Sequence, residues 1–176
     1  FNRARLIKNS KNRIPYGVDL IQKYKRESWI VFTENKKQAK EFNKIINTKG
    51  FKSALYNTDL DSAERLENLN KFKKADLNVL VTCTALDEGF DMPEADGALI
   101  LSASSSKRQR VQRMGRVLRI TENKPNALIV TVYSSKTEFD KLMEEAKRYH
   151  KEGVPVSWKR HCLLYTSPSP RDSASS

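Results

Sequence analysis

The sequence contains few of the residues from which self-contained catalytic and metal sites are built. It has two cysteines, two histidines and six glycines among 176 residues. Cys83 and Cys162 form no metal-ligand spacing with each other or with the histidines, so no zinc site is predicted. No glycine-containing run reads G-x-x-x-x-G-K-[ST], which excludes a phosphate-binding P-loop within these residues. We also find no Ser–His–Asp or Cys–His set for nucleophilic catalysis.

Long hydrophobic runs and export signals are lacking too. No apolar stretch approaches the roughly 18 residues that a membrane-spanning helix needs, and no signal-peptide pattern is found. Two cysteines without a pairing pattern fit a reducing compartment. We therefore expect a cytoplasmic protein of a bacterial or phage-like system, with no membrane partner. Because the chain begins at Phe1 rather than Met, we also expect it to be a fragment.

Charge is present in excess of one sign. Lysine and arginine number 33 against 21 for aspartate and glutamate, which gives a formal net charge of +12. Such an excess favours a polyanionic partner, namely nucleic acid, nucleotide phosphates or an acidic membrane surface. A solvated basic surface without a partner is the alternative that charge alone leaves open.

Short apolar segments alternate with helical patterns from residue 28 onward. Runs rich in β-branched and aromatic residues predict five strands, at 28–33, 52–57, 78–82, 97–101 and 126–133. Segments with apolar residues at helical spacing lie between them and after the last one. This alternation is typical of βαβ units, so we predict an α/β fold with a parallel β-sheet sandwiched by helices.

Two of the predicted helices carry signals at their ends. The first ends at Gly50, a residue suited to the position after a helix. Its apolar stripe consists of Ala39, Phe42, Ile45 and Ile46. The second begins with a capping box of Asp61 and Glu64. Its predicted buried stripe consists of Leu66, Leu69 and Phe72.

Composition divides the chain into four segments. Residues 1–27 form a weakly patterned basic segment, which we interpret as a linker from a preceding domain. Residues 28–135 contain the alternating strands and helices of one domain, and 136–160 contain a closing helix with an extension. Residues 161–176 change abruptly to serine and proline. They form a disordered tail or an artefact that closely resembles a translated sequencing adaptor, and they carry no functional argument.

A helix predicted within 105–119 carries three arginines at three-residue spacing. They form a stripe beside a separate apolar stripe that can pack on the sheet, and they are Arg113, Arg116 and Arg119. Arginine binds phosphate through a planar fork and stays charged, so the pattern favours a phosphate-binding face. Gly115 costs up to about 1 kcal/mol in a helix, which a close approach to the backbone would explain. A basic solvent face, or salt bridges to glutamates, explains the stripe equally well.

Polar residues follow the third predicted strand at its carboxyl end, where α/β sheets bind ligands. Thr82, Cys83 and Thr84 stand at this end, and Gly89 and Asp91 lie in the loop that follows. Gly89 permits a tight turn, and Asp91 can accept a hydrogen bond from a ribose hydroxyl. A plain polar connection is the simpler interpretation of this loop by itself.

The first two predicted strands also end in polar residues. Thr33, Asn57 and Thr58 can hold a nucleic-acid backbone, but as isolated residues they are more typical of helix caps. The nearby Asp87–Glu88 pair is separated from the apolar strand, whereas a Mg²⁺-binding pair follows a strand directly. We therefore predict no metal site in this chain.

Taken together, these elements resemble the second RecA-like domain of superfamily 2 helicases and translocases, a P-loop NTPase-type fold without its own P-loop. Residues 28–33 (SWIVFT) resemble motif IV, 83–101 resemble motif V, and 104–119 are similar to motif VI, Q-R-x-G-R-x-x-R. The likeness covers roughly 28–135 in order and spacing. It is closer to the DEAH-like and the XPB- or restriction-subunit-like branches than to DEAD-box RNA helicases, which have histidine at the position of Gln112.

The resemblance implies roles for particular residues. Arg116 and Arg119 fall on the arginine-finger positions that stabilise charge on the γ-phosphate of ATP, and Gln112 falls on the γ-phosphate sensor. The other implied ATP-binding residues are Gly89, Asp91 and Arg113. The implied nucleic-acid-binding residues are Thr33, Thr58, Arg65, Thr82 and Cys83. Cys83 departs from the family, which often has threonine there, and a thiol is a weak donor.

The same resemblance implies the activity and the partners. ATP with Mg²⁺ would bind between this domain and a missing N-terminal RecA-like domain that supplies the P-loop and the Mg²⁺ ligands. The full-length protein is then expected to be an ATP-dependent helicase or translocase acting on DNA rather than RNA, and the isolated fragment is expected to be inactive. The alternatives are a non-catalytic RecA-like nucleic-acid-binding module and a translocation subunit of a restriction or repair complex.

Overall fold

The computed structural model describes residues 13–83, 95–102, 128–151 and 156–157. Helices and strands alternate through them in the order α1 Arg13–Tyr24, β1 Trp29–Phe32, α2 Lys36–Thr48, β2 Ser53–Leu55, α3 Ser62–Lys73, β3 Val79–Thr82, β4 Gly97–Ile100, β5 Leu128–Thr131 and α4 Lys136–Lys151. The strands are hydrogen-bonded in the order β2-β3-β1-β4-β5, and every neighbouring pair is parallel. The predicted α/β class and the five predicted strands are confirmed.

The central strands are buried on both faces because they are apolar throughout. Side chains alternate along a strand, so Trp29 and Val31 of β1 face one side of the sheet and Ile30 and Phe32 face the other. The first side packs with apolar side chains of α1 and α2, namely Ile14, Val18, Leu20, Ile21, Ala39, Phe42 and Ile46. The second side packs with Leu69 and Phe72 of α3. Helices on both faces are the arrangement that a parallel sheet requires.

Helix α1 lies in 1–27, for which we predicted a linker and no helix. Its Ile14 and Val18 are 3% and 1% exposed and belong to the main apolar cluster. Gly17 lets the helix approach the sheet closely, since a Cβ there would lie 2.9 Å from the Leu101 side chain. Helix propensity is low in this segment, and packing against the sheet overrides it. The part of the predicted linker from Arg13 to Tyr24 is therefore a helix of the domain. The boundaries of the four predicted segments stay predictions.

Helix α2 begins and ends at the residues that its sequence signals require. Asn35 is the N-cap, and its Oδ1 accepts the Gln38 N–H at 3.0 Å. Gly50 follows the helix with a φ of 86°, a conformation that glycine adopts at little cost. The predicted end at Gly50 is confirmed.

Helix α3 confirms its predicted cap but not all of its predicted core. Asp61 is the N-cap, and its Oδ1 accepts the Glu64 N–H at 2.7 Å. Leu69 and Phe72 are buried as predicted, but Leu66 is 57% exposed, so its predicted burial is wrong. Positions four and three residues apart share one helical face, and that face is occupied by half-buried Arg65 together with Leu69 and Phe72.

The predicted closing helix is confirmed as α4. Residues up to Lys141 belong to one compact unit and those from Leu142 onward to a second, of which the structure describes the rest of α4 and residues 156–157. The helix predicted within 105–119 lies outside the described residues. Over the described ranges, no helix is both long enough and apolar enough to cross a membrane.

Candidate nucleic-acid interface

Polar residues meet where the strands end, an edge that we call the carboxyl edge. Thr33 follows β1 there, and its N–H donates to the Thr82 carbonyl at 2.8 Å. The Thr33 hydroxyl lies within donor distance of the Asn35 and Thr82 carbonyl oxygens, at 3.2 and 3.3 Å. Thr33 and Thr82 are 2% and 1% exposed. The Thr33 hydroxyl thus fixes the turn after β1, and its implied contact with nucleic acid stays a prediction.

Asn57 joins the end of β2 to the end of β3. It is 2% exposed, and its Oδ1 accepts the Cys83 backbone N–H at 3.0 Å. The Cys83 side chain belongs to the main apolar cluster, so its thiol offers little surface to a ligand. Nδ2 of Asn57 is buried without a hydrogen-bond partner among the described residues. Asn57 therefore orients the end of β3. It is not a helix cap, although a cap is the role that the sequence favours for an isolated asparagine here.

Thr58 and Arg65 are the predicted nucleic-acid-binding residues that reach the surface. Thr58 is exposed, and Arg65 is half-buried in the first turn of α3. The Arg65 guanidinium donates to Ser62 Oγ at 3.3 Å, whereas its Nε has no partner within the described residues. A guanidinium has five N–H donors in a fixed fork that matches phosphate oxygens. Arg65 is thus suited to the predicted phosphate contact.

Helix N-termini add a favourable potential for anions at the same edge. Helices α2 and α3 both begin there, behind their caps Asn35 and Asp61. The backbone N–H groups of a first helical turn and the positive end of the helix dipole attract negative charge. At α3 the Asp61 carboxylate and Glu64 offset this potential, so the N-terminus of α2, capped by the neutral Asn35, is the helix end that favours a phosphate at the carboxyl edge.

Two lysines of α2 pair with an acidic side chain from the connection between β2 and α3. Lys36 and Lys40 form ion pairs with Asp59, the second at 3.4 Å. The hydrogen bond from Lys36, followed by the charges of Lys36 and Lys40, holds the pKa of Asp59 below its ordinary value. Asp59 consequently competes with any bound phosphate for these two ammonium groups.

Two polar residues at the carboxyl edge escaped the sequence-based prediction. Ser102 follows β4 and is 1% exposed, and its hydroxyl donates to Glu34 Oε2 at 2.5 Å. The Glu34 N–H in turn donates to Gln38 Oε1 at 3.1 Å. The only sequence signal of Glu34 and Ser102 is their position directly after the predicted strands 28–33 and 97–101. Together they connect the end of β4 to the start of α2.

A buried arginine ties the ends of β4 and β5 together. Arg13 is 2% exposed, and its Nη1 donates to the Leu101 and Val132 carbonyls at 3.2 and 2.9 Å. Its Nη2 donates to Ser134 Oγ at 2.7 Å and forms an ion pair with Glu138. No pattern in 1–27 predicted this residue, because its partners are distant in sequence. Arg13 anchors the start of α1 beside the carboxyl edge.

The residues implied in ATP binding lie outside the described residues. They are Gly89, Asp91, Gln112, Arg113, Arg116 and Arg119. The two segments that contain them lie between described residues, after Cys83 at the end of β3 and after Ser102 beyond β4. In the part of the chain that the structure describes, no group of three or more His, Cys, Asp or Glu side chains could hold a metal ion.

The parallel sheet, its helices on both faces and its polar, anion-favouring carboxyl edge define a RecA-like α/β domain. Residues 12–121 match the family described as helicase conserved C-terminal domain. The match covers more than half of the chain, so the chain belongs to this family. It includes the segment 104–119, which resembles motif VI.

Individual relatives include both DNA- and RNA-directed proteins by name. The chain is 36% identical over 129 residues to the DNA 3'-5' translocase XPB2 of Sulfurisphaera tokodaii, covering 73% of this chain and 28% of the relative. It is 31% identical over 125 residues to UvrABC system protein B of Fusobacterium nucleatum, covering 67% and 19%. It is 26% identical over 118 residues to the ATP-dependent rRNA helicase RRP3 of Scheffersomyces stipitis, covering 67% and 24%. The chain thus spans less than a third of each of these relatives.

Solved structures confirm the RecA-like fold. The C-terminal domain of the DEAD-box protein Dbp5 superposes with a TM-score of 0.68 at 20% identity, covering 82% of each chain. The RNA helicase Prp28 from Chaetomium thermophilum, bound to ADP, superposes with a TM-score of 0.64 at 19% identity, covering 86% of this chain and 37% of that one. At these identities the likeness concerns the fold alone.

Proposed function

We propose that this chain is the second motor domain of an ATP-dependent nucleic-acid helicase or translocase. The observation that carries the proposal is the series Gln112, Arg113, Gly115, Arg116 and Arg119 inside the family match 12–121. A domain that only binds nucleic acid has no need of arginines at all of these motif VI positions. The non-catalytic binding module is therefore the less favoured alternative.

Arginines supplied by this domain would complete an ATP site that another domain begins. ATP with Mg²⁺ is the expected substrate complex, with the P-loop and the Mg²⁺ ligands on an N-terminal RecA-like domain. Arg116 and Arg119 would stabilise the negative charge that develops on the transferring phosphoryl group, and Gln112 would sense its presence. Closing and opening of the two domains would then change the grip on the nucleic acid.

The carboxyl edge is the proposed nucleic-acid-binding surface of this domain. Thr58 and Arg65 reach the surface there, and the N-terminus of α2, behind its neutral cap Asn35, lies at the same edge. Contacts of this kind go to phosphates and carry no sequence information. Binding should therefore be independent of sequence and should weaken steeply with salt.

DNA is the favoured nucleic acid of the proposed helicase or translocase, and duplex translocation as a subunit of a restriction or repair complex is the alternative form of the activity. In support, the relative at 36% identity is named as a DNA translocase, whereas the relative named as an rRNA helicase is at 26%. Stimulation of ATP hydrolysis by DNA and by RNA of equal length tests the first point. A strand-displacement assay beside a triplex-displacement assay distinguishes a helicase from a translocation subunit. A cytoplasmic location in a bacterial or phage-like system stays a prediction.

The decisive variant is Arg116→Ala in the complete protein that carries this domain. An arginine finger accelerates phosphoryl transfer by about 10³–10⁵. The ATP turnover of the variant should fall by at least about 10³, while its ATP affinity should change only a few fold. Lys141→Ala, on the exposed side of α4, is the matched control and should leave turnover unchanged. Unchanged turnover in Arg116→Ala would overturn the assignment.

A further inference from the structure

The opposite edge of the sheet, where the strands begin, collects the ends of three helices. Helices α1, α2 and α3 each precede a parallel strand, so each of them ends at this amino edge. Asn78, just before β3, joins the three connections. Its Oδ1 accepts the Lys52 N–H at 3.3 Å, and its Nδ2 donates to the Glu27 carbonyl at 3.4 Å. The connections that follow α1, α2 and α3 are thus neighbours in space.

Basic side chains dominate these connections. We call them the amino-edge basic surface and define it by Lys25, Arg26, Lys49, Lys52, Lys73 and Lys74. All are exposed except Arg26, which is half-buried. The acidic residues of the same connections are fewer, namely Glu27 and Asp76, and Asp96 lies beside them just before β4. Asp96 is already engaged, because its carboxylate accepts hydrogen bonds from the Ser28 N–H and hydroxyl at 3.1 and 3.0 Å.

The basic residues of this surface do not take part in the ion pairs that hold several other lysines of the described part. Elsewhere, Lys71 pairs with Glu67 at 2.6 Å, Lys136 with Asp140 at 3.2 Å and Lys147 with Glu144 at 2.6 Å. No member of the amino-edge basic surface forms an ion pair with another described residue. Like charges that stay uncompensated at close quarters repel, and a bound polyanion relieves that repulsion.

Helix dipoles do not account for the whole surface. A dipole favours basic residues in the last turn of a helix, which explains Lys73 in α3. The effect falls off within that turn, whereas Lys25 and Lys52 lie beyond the ends of α1 and α2. Lys25 also has a φ of 42°, a left-handed conformation that glycine would adopt more easily. A basic side chain stands at this turn in spite of the backbone cost.

We propose that the amino-edge basic surface is a second nucleic-acid-binding surface, which holds the phosphate backbone outside the carboxyl edge. The strands between the two edges are about 13 Å long at about 3.3 Å per residue. This exceeds the Debye length of about 10 Å at 0.1 M salt, so charges at the two edges act separately. The exposed large apolar residues of the described part are Leu66, Ile129 and Val156, none of them aromatic. Tyr24 and Phe51, the aromatic residues beside the surface, are half-buried and pack against the main apolar cluster, so the surface should hold phosphates rather than stack bases.

The test measures binding of the 176-residue chain to a fluorescein-labelled 20-base-pair DNA duplex across a salt series. The variant is the triple substitution Lys49→Gln, Lys52→Gln and Lys74→Gln. The matched control removes the same charge from exposed positions of α4, through Lys141→Gln, Lys147→Gln and Lys151→Gln. Circular dichroism checks that both triple variants are folded, since exposed substitutions usually change stability by less than about 0.5 kcal/mol.

The amino-edge variant should bind about tenfold or more weakly near 0.1 M salt. Each lost phosphate contact lowers the slope of log K against log salt by about 0.9, so three of them should flatten it by about 2 to 3. The α4 control should stay within about twofold of the unsubstituted chain. Equal weakening of both variants would overturn the proposal, because net charge alone would then explain the binding.

Two further arms of the experiment distinguish this proposal from binding of an acidic protein and from binding at the carboxyl edge. Labelled poly-glutamate of matched charge replaces the duplex in one arm, and tighter binding of poly-glutamate would assign the surface to an acidic protein and overturn the proposal. Arg65→Gln serves in the other arm, because it changes only the carboxyl edge. The amino-edge surface does not depend on the proposed motor function. A loss confined to the amino-edge variant therefore supports it even where Arg65→Gln has no effect.

Discussion

Gly97 lies against the indole ring of Trp29. The two residues are partners in register on the neighbouring strands β4 and β1. A Cβ on Gly97 would lie 2.6 Å from Cε3 of Trp29, closer than any real contact allows. Trp29 is 0% exposed, so its ring has no free space into which to move. The missing side chain at Gly97 is what allows the indole to cover the start of β4.

Gly97→Ala should therefore destabilise the fold by about 1–3 kcal/mol, as overpacking of a close-packed core does. Urea unfolding followed by circular dichroism measures the loss. Trp29→Phe shortens the ring system, so the penalty of Gly97→Ala should be smaller in that background. Equal penalties in both backgrounds would show that the indole is not the cause.

The buried pair of Arg13 and Glu138 should contribute strongly to stability once formed. Removing one partner strands the other charge in the core, which typically costs about 3–5 kcal/mol. Arg13→Met and Glu138→Met should each lower the free energy of unfolding in this range, and the double variant with both substitutions should cost less than the two losses together. Lys136→Ala breaks an exposed pair and should cost below about 1 kcal/mol. Additive losses at Arg13 and Glu138 would contradict the coupling.

Asp59 should titrate below an ordinary aspartate. The hydrogen bond from Lys36, then the charges of Lys36 and Lys40, lower its pKa in the folded state. A lowered folded pKa means that the stabilisation is present above the unfolded pKa of about 3.9 and is lost as pH falls through the folded value. Carboxyl chemical shifts followed by NMR give this pKa directly. Lys36→Ala should move it back toward the ordinary value, and no movement would contradict the assigned cause.

Tyr16 should titrate above an ordinary tyrosine. Burial raises its pKa, and the effects of three neighbours add to this, namely Tyr24, Tyr133 and Asp19. A raised folded pKa means that stabilisation is present below the unfolded pKa of about 10 and is lost as pH rises through the folded value. Absorbance at 295 nm should show a late-titrating tyrosine that disappears in Tyr16→Phe. Identical titration curves for the two chains would refute the shift.

Asn57 should protect the backbone amide of Cys83. Asn57→Ala removes this acceptor from the buried Cys83 N–H, at a cost of about 1–3 kcal/mol. Hydrogen exchange at Cys83 should speed up by more than the global loss of stability explains. Asn68→Ala is the control, because the Asn68 side chain donates to the Leu55 carbonyl and not to Cys83. Slow exchange at Cys83 in Asn57→Ala would contradict the role.

The elements with regular apolar patterns could be predicted from the sequence. The five strands are short runs of β-branched and aromatic residues, and the cap of α3 is a local relationship between Asp61 and Glu64. Leu66 was misplaced because a three-residue repeat drifts around a helix, and the buried face follows Arg65, Leu69 and Phe72 instead. Polar residues that follow the first two strands lie at the carboxyl edge, but as isolated residues in the sequence they are more typical of helix caps.

What the sequence could not reveal depends on contacts between distant residues. Arg13 bonds to Leu101, Val132 and Glu138, which lie 88 to 125 residues further along the chain. Its segment contains no strong helical pattern, so only the packing of α1 on the sheet reveals its place. Ser102 and Glu34 are likewise ordinary polar residues until the order of the strands brings them together.

The Arg13 cluster also sets an order of events during synthesis. Helix α1 leaves the ribosome before any strand that it covers, and its anchor Glu138 leaves 125 residues after Arg13. At about 5–20 residues per second, α1 waits between about 6 and 25 seconds for that partner. During this interval the Arg13 guanidinium lacks the carboxylate with which it pairs in the folded domain. A nascent chain halted before Glu138 should therefore expose the start of α1 to limited proteolysis more than a chain halted after Glu138 has emerged.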